Sequence, residues 1–187
     1  MRTRNMIWRV AVVLAAATGG LFAGSDAVTS GLAWRPLQRI PSVQVEETMM
    51  TFGGKEIPAQ TITLSHSGSS FSNAVVLPLD VSLQEYNVIS FRVKMKVPSG
   101  APDNFSISVF NESSWYITNG PAAAGTKFLE HANEVAPGEY EFTWQAAATF
   151  EKFDMASARF LALIYLTQEI PEGETVKITV SEVTFQK

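Results

Sequence analysis

The sequence predicts an all-β fold of antiparallel strands, a sandwich or a barrel, on three observations. Residues 88–97 place Ile89, Phe91, Val93, Met95 and Val97 on one parity and Ser90, Arg92, Lys94 and Lys96 on the other. That alternation is the pattern of a strand with one buried and one wet face. The same rhythm returns at 105–109, 139–144 and 175–180, and nine strand-like runs punctuated by turn residues follow one another along the chain.

The elements follow in order. Residues 1–27 set Arg2, Arg4 and Arg9 ahead of an uncharged run over 10–25 and end in the small residues Ala23, Ser25 and Ala27. This reads as a secretory signal peptide, cleaved after Ser25 or Ala27, with a retained anchor as the alternative. The uncharged run is shorter than the ~20 residues of a spanning helix, which favours cleavage. Residues 28–41 hold two prolines, one glycine and no periodicity, so they read as an N-terminal arm or linker whose anchor is Trp34. The β-domain is expected over 42–187.

Its strand-like runs are 43–49, 60–65, 74–79, 88–97, 105–110, 115–118, 139–144, 160–167 and 175–185. All twelve glycines and eight of the nine prolines fall outside them, and only Pro78 lies inside one, which marks an edge or an irregular strand end. Gly53-Gly54 reads as a hairpin turn. Residues 98–102 and 171–173 read as turns, and 149–158 as one short helix with Phe150 and Phe153 facing inward.

Two runs break the simple alternation. In 175–185 the apolar parity is even at Val176, Ile178 and Val180 but odd at Val183 and Phe185, so Ser181-Glu182 is expected to hold a β-bulge or a switch between sheets. In 160–166 both parities are apolar, which implies either cover on both faces, by a loop or the arm, or an exposed patch of Leu161, Leu163 and Tyr165.

Composition bounds the chemistry. The 187 residues include no cysteine, so neither a disulfide nor a lipidated cysteine is available and burial must supply the stability. A single domain of the expected size buries roughly two-thirds of its unfolded surface, enough for that. Removing Arg2, Arg4, Arg9 and Asp26 with the leader takes the formal charge from −4 to −6. An acidic domain without a Lys/Arg run is a poor partner for nucleic acid or, once the leader is gone, for an anionic membrane.

From about residue 61 to 187 the chain resembles the galactose-binding-like jelly-roll family that includes many bacterial carbohydrate-binding modules. The resemblance is carried by LDVSLQEYNVISFRVK at 79–94, PGEYEFTW at 137–144, FDMASARFLALI at 153–164 and GETVKITVSEVTF at 173–185. It implies a two-layer antiparallel β-sandwich of jelly-roll type with about eight or nine strands, and a non-catalytic glycan-binding role. Two positions depart from the family pattern: Ser181-Glu182 stands where Asp or Asn pairs are usual, and Tyr140 where a Trp is common. Many members hold a structural calcium, for which Asp80, Glu46, Glu47 and Glu182 offer a few oxygens, but a hard cation needs six to eight and no Asp-rich loop is present. No cofactor is expected.

Sugar binding requires an aromatic face to stack on a pyranose ring and nearby amides or carboxylates for its hydroxyls. The segment FNESSWYITN at 110–119 offers Trp115 and Tyr116 flanked by Asn111, Glu112 and Asn119, and is the candidate ligand site. In a strand one of the two aromatics must face the core. The long connection after Asn119 brings Phe128, Glu130, His131 and Asn133, which either wall the same site or form an edge strand. Arg92, Lys94 and Lys96 on one wet face and Glu139 and Glu141 on another pair across strands if those strands are neighbours; otherwise they suit acidic glycans.

Catalytic patterns are weak. His66 and His131 are the only histidines and lack metal-ligand spacing, and the Ser/His cluster at 65–70 is not a nucleophile elbow. Glu139 and Glu141 have glycosidase-like separation, but such i,i+2 pairs are ordinary on exposed strands. The sequence thus reads as a secreted, non-enzymatic, carbohydrate-binding sandwich with a polysaccharide or glycan as partner. The alternatives are an envelope or extracellular assembly protein docking a protein partner through Leu161, Leu163 and Tyr165, and more remotely a small glycoside hydrolase or lyase.

Overall fold

Alternating side chains commit the chain to two sheets packed face to face. The computed structural model describes residues 27–37, 42–66, 73–96, 105–111, 123–146, 154–165 and 167–187. Within them run thirteen strands: β1 (Ala27–Thr29), β2 (Arg35–Pro36), β3 (Val43–Phe52), β4 (Lys55–Ser65), β5 (Asn73–Pro78), β6 (Val88–Lys96), β7 (Phe105–Phe110), β8 (Ala123–Lys127), β9 (Ala132–Ala136), β10 (Glu139–Gln145), β11 (Phe160–Tyr165), β12 (Thr175–Ser181) and β13 (Thr184–Gln186). The smaller sheet has the order β2-β5-β11-β7-β8. The larger has eight strands centred on β6, which pairs with β10 along one edge and with both β12 and β13 along the other. Strands β1 and β4 continue outward from β13 and β12, while β9 extends β10 and β3 extends β4.

Between the sheets lies one continuous core. From the larger sheet come Ile62, Ile89, Phe91, Val93, Phe142, Trp144, Val176, Ile178, Val180 and Phe185; from the smaller come Val75, Leu77, Phe105, Ile107, Val109, Leu161, Leu163 and Tyr165. Aromatic rings cross the gap. Phe91 lies 4.7 Å from Phe142, Phe142 stacks on Phe128 at 5.3 Å, and Phe128 stacks on Phe105 at 4.2 Å, centroid to centroid. Offset contacts of this kind add about 0.5–1.5 kcal/mol each to the burial itself.

Several sequence expectations change. The run at 43–49 extends to Phe52 and that at 60–65 begins at Lys55, because a two-residue turn with Gly53 at φ 55° and Gly54 at φ 77° carries the ladder to its tip. Pro58 therefore lies inside β4, and is tolerated because β12 leaves β4 after the Ser181–Ala59 pair. Leu161, Leu163 and Tyr165 are core residues and form no surface patch, so they offer no docking site. The opposite parity of β11 is also covered: Phe160, Ala162 and Ile164 join Val76, Phe110 and Leu37 in a second apolar cluster outside the smaller sheet. Phe128 is wholly buried on a 3₁₀ turn, Phe128–Glu130, and walls no open site. Of the proposed helix, a 3₁₀ turn at Met155–Ser157 is seen, capped by Asp154 whose carboxylate accepts from the Ala156 N–H. Of the leader at 1–27, all but Ala27, which opens β1, lies outside the described residues, as do the run at 115–118 and residues 147–153.

Residues 27–37 touch both sheets. β1 pairs with β13, β2 pairs with β5, and Trp34 enters the core. Gln60 fixes that insertion: its Oε1 accepts from the Trp34 N–H at 2.9 Å and its Nε2 donates to the Trp34 carbonyl at 3.5 Å. A buried amide with both ends engaged avoids the desolvation cost of an unpaired polar group. Gln60→Ala is accordingly expected to lose about 1–3 kcal/mol of stability in urea denaturation. Hydrogen exchange should localise the added opening to residues 27–37.

Candidate functional site

The wet face of the larger sheet becomes a site because two strands depart from regular pairing. β12 meets β6 with Lys177 opposite Lys96 and Val180 opposite Val93; β13 meets it with Thr184 opposite Ser90. Three residues, Ser181, Glu182 and Val183, therefore stand across from two, Phe91 and Arg92. This is a β-bulge within one sheet and not a switch between sheets. The bulge explains the change of apolar parity, returning Val183 and Phe185 to the core. Its backbone groups are met by two serines. The Arg92 N–H donates to Ser181 Oγ at 2.9 Å, and the Ser181 hydroxyl donates to the Glu182 carbonyl at 2.9 Å. The Val183 N–H donates to Ser30 Oγ at 3.3 Å, while the Ser30 N–H donates to the Val183 carbonyl at 2.8 Å.

The second departure is in the β3–β4 hairpin. Near the sandwich its odd residue Val43 and even residues Ile62 and Leu64 face the core, but toward the tip Met50, Phe52, Ile57 and Ala59 form a separate apolar cluster on the outer face. Freed from β12 beyond Ala59, the twisted hairpin reaches across to β6 and β10. Lys94 Nζ donates to the Thr51 carbonyl at 3.5 Å, and the Gly53 N–H donates to Glu139 Oε2 at 3.4 Å. The Arg92 guanidinium sits over the Phe52 ring, 5.2 Å from its centroid. At the tip, the Thr51 hydroxyl is also hydrogen-bonded to the Glu56 carboxylate.

Four of the charges on this face form cross-strand pairs because β6 and β10 are neighbours, while Lys96 stands opposite Lys177 of β12. Glu141 faces Arg92 and Glu139 faces Lys94 in the register. Glu141 Oε1 lies 3.4 Å from Arg92 Nε, and Glu139 Oε1 lies 3.0 Å from Lys94 Nζ. The Lys94 hydrogen bond is the main reason the Glu139 carboxyl titrates below the usual glutamate range, with the Gly53 N–H adding to it. The ionised form is therefore favoured in the folded state, and its contribution to stability is present above the ordinary glutamate pKa and fades as pH falls through the lowered one.

Between hairpin, bulge and β10 lies an open groove of about 350 Å³. Ser90, Arg92, Glu141 and Thr143 form its floor, Ser181, Glu182 and Thr184 its bulge side, and Ile57 and Pro58 its hairpin side, with Thr29 at the β1 end. Phe91 and Phe142 lie beneath with their rings in the core, so the described lining presents hydroxyls, charges and the aliphatic side chains of Ile57 and Pro58, and no exposed aromatic face. Among the described residues no group of three His, Asp or Glu is placed to hold a metal ion. His66 uses Nδ1 against the Ile170 carbonyl at 2.6 Å, and His131 lies edge-on to Phe142.

Of the sequence-derived site, only Asn111 falls among the described residues. It directly follows β7, and its Oδ1 is buried with no hydrogen-bond partner among the described residues. Glu112, Trp115, Tyr116 and Asn119 lie outside the described residues. Of the second group, Glu130 accepts from the Thr126 hydroxyl and Asn133 stands exposed on β9 opposite Glu141. The groove itself escaped the sequence reading. Its trace was the parity change from Val43 and Val45 to Met50 and Phe52, of the same kind as the change at Ser181-Glu182.

Lys94→Met is expected to return the Glu139 carboxyl toward the ordinary glutamate range. Carboxyl-detected NMR titration of both proteins checks this; an unmoved midpoint would contradict the assigned cause.

No protein-family model matches the chain, and no curated protein matches it in sequence. Solved structures do match. A family 30 carbohydrate-binding module of a cellulosomal cellulase of Clostridium thermocellum superposes with a TM-score of 0.51 at 12% identity, covering 86% of this chain and 97% of that one. A second structure of a family 30 module gives a TM-score of 0.53 at 13% identity, covering 86% and 98%. At such identities the likeness is one of fold, and the chain has the two-layer jelly-roll β-sandwich fold seen in these carbohydrate-binding modules.

Proposed function

We propose that this protein is a secreted, non-catalytic carbohydrate-binding module-like protein, exported by residues 1–27, and that the groove over β6 and β10 holds its glycan. The observation that carries this reading is the groove's lining: hydroxyls and a donor–acceptor ion pair beside the aliphatic Ile57 and Pro58, open to solvent, on a fold that solved carbohydrate-binding modules share. Each sugar hydroxyl is donor and acceptor at once, and such a lining answers both roles. Trp115 and Tyr116, with Asn111, Glu112 and Asn119, follow β7 of the smaller sheet in the chain, and we assign them to stacking and hydroxyl contacts beyond the groove itself.

The electrostatics favour binding over hydrolysis. A glycosidase general acid must hold its proton near neutrality, which requires a raised carboxyl pKa. Glu139 is shifted the other way by Lys94. No helix among the described residues is long and apolar enough to cross a membrane.

Affinity electrophoresis through gels containing soluble polysaccharides tests the proposal. The expected result is retarded migration in at least one glycan and no release of reducing sugar. Trp115→Ala should weaken retention about two- to tenfold, the worth of one aromatic contact, at an unchanged melting temperature. Unretarded migration across all gels would overturn the reading.

A further inference from the structure

The chemistry of the groove narrows the class of sugar. We infer that Arg92 and Glu141 together grip neighbouring hydroxyls of a neutral saccharide and that the groove discriminates against uronic acids. This rests on the carbohydrate-binding reading above.

Arg92 is held by three constraints drawn from separate parts of the chain. Its backbone N–H is pinned to Ser181 of the bulge, its guanidinium lies over Phe52 of the hairpin, and its Nε faces Glu141 of β10. The terminal nitrogens of the guanidinium have no hydrogen-bond partner among the described residues, although the Arg92 and Glu141 side chains are 42% and 49% exposed. A planar donor already fixed in place loses little further freedom when it binds. Beside it, Glu141 keeps acceptor capacity that a single contact to Nε does not use. Adjacent sugar hydroxyls fit this arrangement, one accepting from a terminal N–H of Arg92 and the next donating to Glu141, with no net charge transferred into the groove.

The neighbouring charges decide between neutral and acidic sugars. The lining holds one cation, Arg92, against two carboxylates, Glu141 and Glu182, and the adjacent Lys94 is already engaged by Glu139. A uronate carboxylate would have to displace Glu141 from Arg92 and sit beside Glu182. A neutral ring meets neither penalty, and Ser90, Thr143 and Thr184 add further hydroxyl partners. At about 350 Å³ the groove is at the small end of ligand sites, so it takes a short stretch of chain.

The test compares neutral glucans, xylans and mannans with polygalacturonate and alginate in affinity gels and calorimetry, for the full chain and for Arg92→Gln, Glu141→Gln and Glu182→Gln. The expected result is binding of a neutral glycan and no uronate preference. Arg92→Gln and Glu141→Gln should each weaken that binding about tenfold, in line with loss of one charge-assisted hydrogen bond. Thermal melting should show all variants folded, and Glu182→Gln should narrow the margin over uronates while leaving the fold intact; if Arg92→Gln fails to fold, Glu141→Gln and Glu182→Gln decide alone. A neutral glycan held equally well by the Glu141 variant, or polyuronates held as tightly as neutral glycans or more so, would overturn this inference and leave carbohydrate binding standing. Absence of binding to any glycan by the unaltered protein would overturn both.

Discussion

One extra residue in the last strand governs the outer face of the larger sheet. Because Ser181, Glu182 and Val183 stand opposite only two residues of β6, β12 and β13 both pair with that strand yet point their even and odd residues, respectively, into the core. A slip of one residue without the bulge would turn Val183 and Phe185 to solvent. The distortion leaves backbone groups that a regular ladder would have paired, and Ser181 and Ser30 meet them. Residue 30 reaches the bulge because β1 runs alongside β13.

The bulge also releases the β3–β4 hairpin. Past Ala59 the hairpin has no partner in β12, and its own twist carries Met50 and Phe52 onto the face opposite Val43 and Leu64. It crosses toward β6 and β10, where Lys94, Glu139 and Arg92 meet its tip. One packing irregularity thus produces both walls of the groove, and the Arg92–Glu141 pair on its floor, like the adjacent Lys94–Glu139 pair, is the ordinary consequence of two wet strands lying side by side. Exposed pairs of this type contribute little to stability, so their consequence here is the placement of donors and acceptors.

Much of this was legible in the sequence where the signal was local. β6 announces itself through Ile89, Phe91, Val93 and Met95 in strict alternation, the cross-strand ion pairs follow once β6 and β10 are neighbours, and the bulge is visible as a change of parity at Ser181-Glu182. Where the signal was not local, the reading fell short. β1 and β2 are three and two residues long and exist by pairing with strands distant in sequence. β9 is an edge strand with no buried parity, so alternation could not reveal it. Phe128 resembles a loop aromatic in sequence but fills the space between Phe105 and Phe142. The groove depends on contacts such as Gly53 with Glu139, 86 positions apart, which no window along the chain contains.

The most direct test of the groove as the binding surface is amide-resolved NMR during titration with the neutral oligosaccharide that the protein retains best. The largest shifts are expected on Ser90, Arg92, Glu141, Thr143, Ser181 and Thr184, with the β3–β4 tip following. Shifts absent from these six positions while binding proceeds elsewhere on the protein would contradict it.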